Sequence, residues 1–330
     1  MKPYLILNAP TGLFSALTAV ILCCAPPAGR AQTFTYTNCD LVAGFRLIGG
    51  ASDLVVDLGP VANYLDLAPR SVLTVTNLSA TQLANALPTL DGVSWSVAAA
   101  MRGNTNYAYP LQTLWVTSPR PDIYTPGKVW VTESVWTLGG AASQIDAIGF
   151  DASVYGNGQP AGPDNLLTGI LIPPASQYAY SYLIGARGNY DGTFQGDVEN
   201  LTAADFDSAG LPSRSVLYQL LPAASGASGT PGTVIGFFDF NPDGTLAFTA
   251  GPPPEKTSIA SITYSGTVAT LTFPTINLVG YRLRYTDGAG LGTPISSWTI
   301  GSSLIGNGAP LFLQDTNTDG IRFYAVEAYY

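Results

Sequence analysis

Thr233–Lys256 reads TVIGFFDFNPDGTLAFTAGPPPEK, and this stretch decides how the chain is divided. Apolar residues alternate on either side of Asn241-Pro242-Asp243-Gly244, which is the pattern of a β-hairpin. Proline presets φ at the second turn position, and glycine takes the positive φ that lets the returning strand pair. The run Gly251-Pro-Pro-Pro254 then cannot donate to a sheet and favours a stiff extended spacer. One β module closes here and another opens.

Working outward, 330 residues allow about two domains. Hydrophobic residues make up 46% and charged residues 11%, with 36 Gly, 25 Pro and 18 Tyr. Disordered chains have few aromatics and high charge, so this composition excludes disorder. Gly, Pro, Ser, Thr and aromatics together favour many short strands joined by tight turns.

At the N-terminus, Lys2 supplies a positive region and Leu13–Ala25 (LFSALTAVILCCA) an apolar one. Gly29-Arg30-Ala31 places small residues where a signal peptidase reads. The apolar stretch is short for a bilayer span, which sets cleavage near Ala31 above the rival reading of a retained anchor. Residues 1–31 are therefore expected to be a signal peptide and the mature chain to be secreted, extracellular or at the cell surface, with no membrane span. Cleavage would remove Lys2, Arg30 and no acid, taking the net charge from −9 to about −11. Such a chain repels nucleic acid, which is bound through Lys and Arg. Cys23 and Cys24 would leave as well, and Cys39, without a partner, is expected to be a small core residue.

Residues 32–250 read as a mainly β, antiparallel, sandwich-like module with two or three short helices. Strands are expected at Thr33–Tyr36, Leu41–Leu47, Asp53–Leu58, Thr74–Thr76, Val93–Met101, Leu114–Thr117, Val129–Trp136, near Leu171, at Tyr178–Ile184 and at Ser215–Leu220. A helix over Ala80–Leu87 has Ser79 as N-cap and Pro88 as stop. One or two helical turns fit Ala141–Ile148, ended by Gly149, and another short helix fits Thr202–Asp207. Residues 151–165 read as loop. After a linker at 251–257, residues 258–330 hold six or seven short strands at the spacing of a small β-sandwich.

The chain has no histidine. A Ser-His-Asp triad, a Cys-His pair and His-containing zinc sites are thereby excluded. No phosphate-binding glycine loop is present either. Calcium needs only hard oxygen ligands, and two segments match the first half of an acidic calcium loop. Asp315, Asn317 and Asp319 form the stronger candidate; Asp239, Asn241 and Asp243 form the weaker one. Both lack the acid at the twelfth position, where Ala250 and Val326 stand, and the same residues also serve as plain turn formers. Calcium is the one cofactor the sequence leaves open; otherwise none is expected.

Asp191, Asp197, Glu199, Asp205 and Asp207 crowd one segment. Paired carboxylates are what glycoside hydrolysis uses, although such a run is ordinarily a solvated loop. Tyr178, Tyr180 and Tyr182 would share one strand face, with Trp115, Trp130 and Trp136 in neighbouring strands. That arrangement could stack sugar rings or could be ordinary cross-strand packing.

Two sets of motifs are familiar. DLVAGFRLIGGASDLVVDLGPVANYL, LTVTNLSATQLANAL, DGVSW, SRSVLYQLLPA and GTVIGFFDFNPDGTLAFTA together resemble bacterial exported proteins of the PEP-CTERM-associated type, over residues 40–250. The Pro-Glu-Pro tail of that group is absent here. YRLRYTDG, SSWTIG and RFYAVEAYY resemble a fibronectin-III-like C-terminal module of secreted bacterial proteins. The resemblance implies export and carries no enzymatic role onto any residue. The expectation is thus a non-catalytic structural or adhesive protein of the cell surface or extracellular matrix. Its expected partners are extracellular polysaccharide, other surface proteins or further copies of itself. A carbohydrate-binding protein and a carboxylate-dependent glycan-cleaving enzyme are the alternatives.

Overall fold

The computed structural model describes residues 33–329, apart from 104–107, 124, 186–189, 191–196, 203–205, 207–209, 224–227 and 319. Gln32–Tyr330 forms one compact unit. The expected signal peptide, Tyr124, Asp191, Asp205, Asp207, Asp319 and most of the Thr202–Asp207 helix lie outside the described residues.

Up to Ala250 the elements run β1 (Asp40–Leu47), β2 (Asp53–Pro60), α1 (Ala62–Leu65), β3 (Val72–Thr74), α2 (Ala80–Ala86), β4 (Val93–Ala100) and β5 (Leu114–Pro119). Then follow α3 (Val135–Asn157), β6 (Gly169–Ile172), α4 (Tyr180–Ile184), β7 (Asn200–Leu201), β8 (Ser213–Leu220), β9 (Thr233–Phe240) and β10 (Leu246–Ala250). All ten strands join one antiparallel sheet in the order β3-β10-β9-β8-β5-β4-β1-β2-β6, with β7 beside β4.

Alternation sends successive side chains to opposite faces, and here both faces are buried. One face carries Leu41, Ala43, Phe45, Leu54, Trp95, Val97, Phe238 and Phe248. The sheet curls so that this face closes on itself: Phe45 of β1 meets Phe240 of β9, ring centroids 5.1 Å apart, although three strands lie between them. The opposite face carries Val42, Val55, Ala98, Val116 and Phe237 and is covered by α3 and α4. A curled antiparallel sheet, packed on both faces, gives the module its sandwich-like, mainly β class.

The opening hairpin forms as its residues dictate. Gly244 sits at φ 83°, and the Asn241 N–H donates to the Thr245 carbonyl at 2.8 Å. Ser79 caps α2, its hydroxyl accepting from the Gln82 N–H at 3.3 Å.

Several expectations fail locally, among them the 151–165 loop, whose residues up to Asn157 are helical. Val129–Trp136 is not a strand, and the helix expected at Ala141–Ile148 extends over 23 residues as α3. Ser134 caps it, and Leu138, Ala141, Ala142, Ile145, Ile148, Ala152 and Gly156 form one buried stripe at helical spacing. Gly149 does not stop the helix. It admits the Tyr36 ring, which a Cβ there would meet at 2.4 Å. Phe34 and Tyr36 consequently run along α3, and Thr33–Tyr36 lies outside the strands. Tyr178–Ile184 is likewise no strand; its second half is the helix α4.

The second module comprises β11 (Ser261–Ser265), β12 (Val268–Phe273), β13 (Gly280–Thr286), β14 (Thr299–Ile305), β15 (Leu311–Thr316) and β16 (Phe323–Tyr329). Two three-stranded sheets, β11-β12-β15 and β14-β13-β16, face each other across a small core of Ala269, Leu271, Phe273, Val279, Tyr281, Leu283 and Leu313. The 251–257 linker has no regular structure, yet Pro253 and Pro254 are buried. It is packed, not a loose tether.

Candidate functional site

The described residues of both calcium-loop candidates are engaged with partners inside the protein, Asp319 lying outside the described residues. Asp239 is gripped by both Nε and Nη2 of Arg214, at 2.7 and 2.8 Å. Asp243 accepts from the N–H and hydroxyl of Thr245, at 2.9 and 2.6 Å, and Asn241 donates to the same hydroxyl. This is a side-chain-braced turn, with one carboxylate already neutralised by a guanidinium. In the second loop Asp315 accepts from Arg322 and from the Tyr324 hydroxyl, while the Asn317 amide donates to the Gly320 carbonyl. A carboxylate satisfied by an arginine is a poor cation ligand. Among the described residues no group of three His, Cys, Asp or Glu is placed to hold a metal.

The three tyrosines do not form a platform. Tyr180 is buried, its ring against Gly44 and its hydroxyl 2.7 Å from Ser96 Oγ. Tyr178 packs on Tyr155 of α3 with centroids 6.2 Å apart, and Tyr182 is exposed. Tyr180 and Tyr182 stand two positions apart on the helix α4, a spacing that sends their side chains in different directions. Trp115 and Trp130 are core residues, whereas Trp136 is 83% exposed at the start of α3.

Of the acid-rich segment, Asp197 is exposed and Glu199 enters a buried polar network. Arg46 of β1 donates to both oxygens of Glu199 and to the Gly185 carbonyl. Asp53 of β2, 1% exposed, accepts from the N–H and hydroxyl of Ser181 at 2.6 and 2.8 Å. Tyr190 joins through Ser96 at 3.3 Å. Burial pushes the pKa of Glu199 up against the opposing pull of Arg46, and burial raises Asp53 as well. These groups tie the 180–200 segment to the sheet. Sequence reading flagged Glu199 for its acidic neighbours but could not see Arg46, 153 positions away.

Cys39 is buried and free, as a small core residue would be, and burial pushes its thiol up to about 12. At φ 75° it adopts a backbone conformation that side chains rarely take.

An open cleft lies where the two modules meet. It encloses about 580 Å³ and is walled by Asp122 and Thr125 of the first module and by Glu255–Thr257 and Ile259 of the linker region. Its remaining lining includes Ala325–Ala328 of β16. The buried Arg120 donates to the Thr125 carbonyl at 2.9 Å and approaches Glu255 at 3.7 Å. Across the junction Arg70 lies 5.9 Å from the centre of the Tyr329 ring. Glu327 is held by Arg282 and Arg284, which lower its pKa. The cleft thus offers hydroxyls, backbone and partly neutralised carboxylates. Sequence reading marked the linker as a boundary and missed that it forms a wall.

No helix among the described residues is long and apolar enough to cross a membrane. No family model, curated protein or solved structure matches the chain.

Proposed function

We propose that this chain is an exported, non-catalytic protein with a structural or adhesive role at the cell surface or in the extracellular matrix. The charged-then-apolar N-terminus and the resemblance to PEP-CTERM-associated proteins support export. The observation that carries the non-catalytic part is the commitment of the carboxylates. Glu199 is held by Arg46, Asp239 by Arg214, Asp315 by Arg322 and Glu327 by Arg282 and Arg284. Asp53, the acid that joins Glu199 in the buried network, is sealed from solvent. Glycoside hydrolysis needs two carboxyl groups on opposite sides of an accessible sugar bond, and this pair offers no such access.

A glycan array followed by a reducing-sugar assay tests this reading. Absence of released sugar on every glycan tested is the expected result. Sugar release that disappears in Glu199→Gln would overturn it in favour of the enzyme. Carbohydrate binding is the second reading, favoured by the exposure of Trp136, since a bare indole face suits a sugar ring. Binding on the array that vanishes in Trp136→Ala, without release, would select it.

A further inference from the structure

Both faces of α3 are poor in charge, and the fold covers only one of them. Leu138, Ala141, Ile145, Ile148 and Ala152 pack into the outer core. On the opposite side of the helix stand Trp136, Gly140, Ser143, Ala147, Phe150 and Val154. Trp136 is 83% exposed, Phe150 60% and Val154 41%, and no charged residue interrupts the six. A helix face left to water ordinarily carries charged and polar side chains. The spacing here alternates between four and three positions, the seam by which one helix packs along another.

The order of sizes along the seam fits a second copy of the same seam. Turned end for end about position 145, it sets Phe150 over the partner's Gly140 and Ser143 over the partner's Ala147. Trp136 then meets the partner's Val154. A two-fold interface needs one patch that is complementary to itself, a condition that a seam meant for an unrelated helix has no reason to meet. Charge agrees with size. Asn38 accepts from the Arg102 N–H and donates to Asp146, and the Arg102 guanidinium donates to the Ser143 hydroxyl. Arg102 and Asp146 thus lie on one flank of the helix. A two-fold axis sets like flanks side by side, so Arg102 of each copy comes level with the partner's Asp146. The net charge of −9 is spread over the whole chain, and salt screens it beyond about 8 Å. Leu111, next to the Gln112 that lies along Gly139, and Tyr182, next to the Leu183 that accepts from Gln144, extend the patch on either flank. They are 54% and 63% exposed and widen it toward the roughly 800 Å² per partner of a stable interface.

We propose that the outer face of α3 is a self-association surface, on which a second copy docks with its α3 antiparallel to form a two-fold dimer. This goes beyond the structural or adhesive reading and does not depend on it. It gives Trp136 a protein neighbour in place of a sugar.

Light scattering of the full chain over a concentration series is the test, and a reversible monomer–dimer equilibrium is expected. Phe150→Asp sets a carboxylate against the partner's helix twice per dimer and should weaken association at least about tenfold. Its circular dichroism should stay unchanged, because Phe150 is exposed in the single chain. Gly140→Phe should weaken association too, by colliding with the partner's Phe150. Combining Gly140→Phe with Phe150→Ala should restore it, since bulk and space have only changed places. Dilution should red-shift tryptophan emission as Trp136 returns to water, and the shift should be absent in Trp136→Phe. A chain that stays monomeric up to about 1 mM overturns the proposal. So does a dimer indifferent to Phe150→Asp, or a double variant that associates no better than Gly140→Phe alone. None of these results bears on sugar release, so the dimer and the non-catalytic reading fail separately.

Discussion

The first module buries both faces of its one large sheet, whereas the second buries one face of each of two small ones. In the first, two cores flank the sheet and α3 closes the outer one. In the second, seven buried hydrophobic residues make up the core among the described residues, and β11 is exposed along its whole length. The difference locates the available chemistry. The first module has used its polar groups to hold its own segments in place, while the second still has backbone and apolar surface to offer.

The sharpest way to break this comparison is to open the inner core of the first module. Phe240 lies 5.1 Å from Phe45, 5.9 Å from Trp95 and 6.0 Å from Phe206, centroid to centroid. Phe240→Ala should cost about 3–5 kcal/mol, the range for emptying a large aromatic site. Urea denaturation followed by tryptophan fluorescence measures it. A loss below about 1 kcal/mol would mean that the curled face is not the module's main source of stability.

A smaller effect tests the outer face. At Gly44 an added Cβ would lie 2.3 Å from the Tyr180 ring, which is itself fixed by Ser96. Gly44→Ala should destabilise by about 1–3 kcal/mol, as overpacking does. The displaced ring should also loosen the Arg46–Glu199 segment, visible as faster amide exchange around residues 197–201. Unchanged exchange there would show that the polar network stands without Tyr180.

How much of this was legible in the sequence depends on the range of the forces involved. The hairpin at 233–250, the capped helix at 80–86 and the alternating strands at 40–60 and 93–100 are set by neighbours a few positions apart, and they fold where the pattern places them. α3 was legible only in part. Its glycines lower its intrinsic helix propensity, and what stabilises it is burial against strands distant in sequence. The Tyr178, Tyr180 and Tyr182 alternation mimics a strand, yet the Tyr180 ring is drawn into the space Gly44 leaves on β1. The candidate cleft was illegible because its walls, near positions 122, 255 and 326, are joined only by the way the modules pack.

A third test uses pH. Burial raises Asp57 of β2 to about 7, with Asp40 adding to the effect and the Gly59 N–H opposing it. A carboxyl whose folded pKa lies above its unfolded value of about 3.9 holds its proton more tightly when folded. Its contribution is therefore full below about pH 4 and is lost as pH rises through 7. Asp57→Asn should stabilise the protein at pH 8 by on the order of 1–2 kcal/mol, after allowance for part exposure, and should leave it little changed at pH 4. Melting curves at the two pH values check this; equal effects at both would remove Asp57 as the cause.

The smallest expected effect sits at the junction and bears most directly on the comparison. Arg120 is 1% exposed in its side chain, Glu255 is 32% exposed, and 3.7 Å separates them. Breaking a buried pair can cost about 3–5 kcal/mol, whereas surface pairs contribute about 0–1 kcal/mol. The long separation and the exposed carboxylate place this pair near the weaker limit. Arg120 also keeps its bond to the Thr125 carbonyl when Glu255 is neutralised. Glu255→Gln should therefore shift stability by less than about 1 kcal/mol. It should nonetheless speed proteolysis within 251–257, because one of the links fixing the linker to the first module is gone. A loss of several kcal/mol would instead mean that the two modules unfold as one, so that the second borrows its stability from the first. Unchanged proteolysis would shift the clamping role to the buried Pro253 and Pro254 and to Arg70 beside Tyr329.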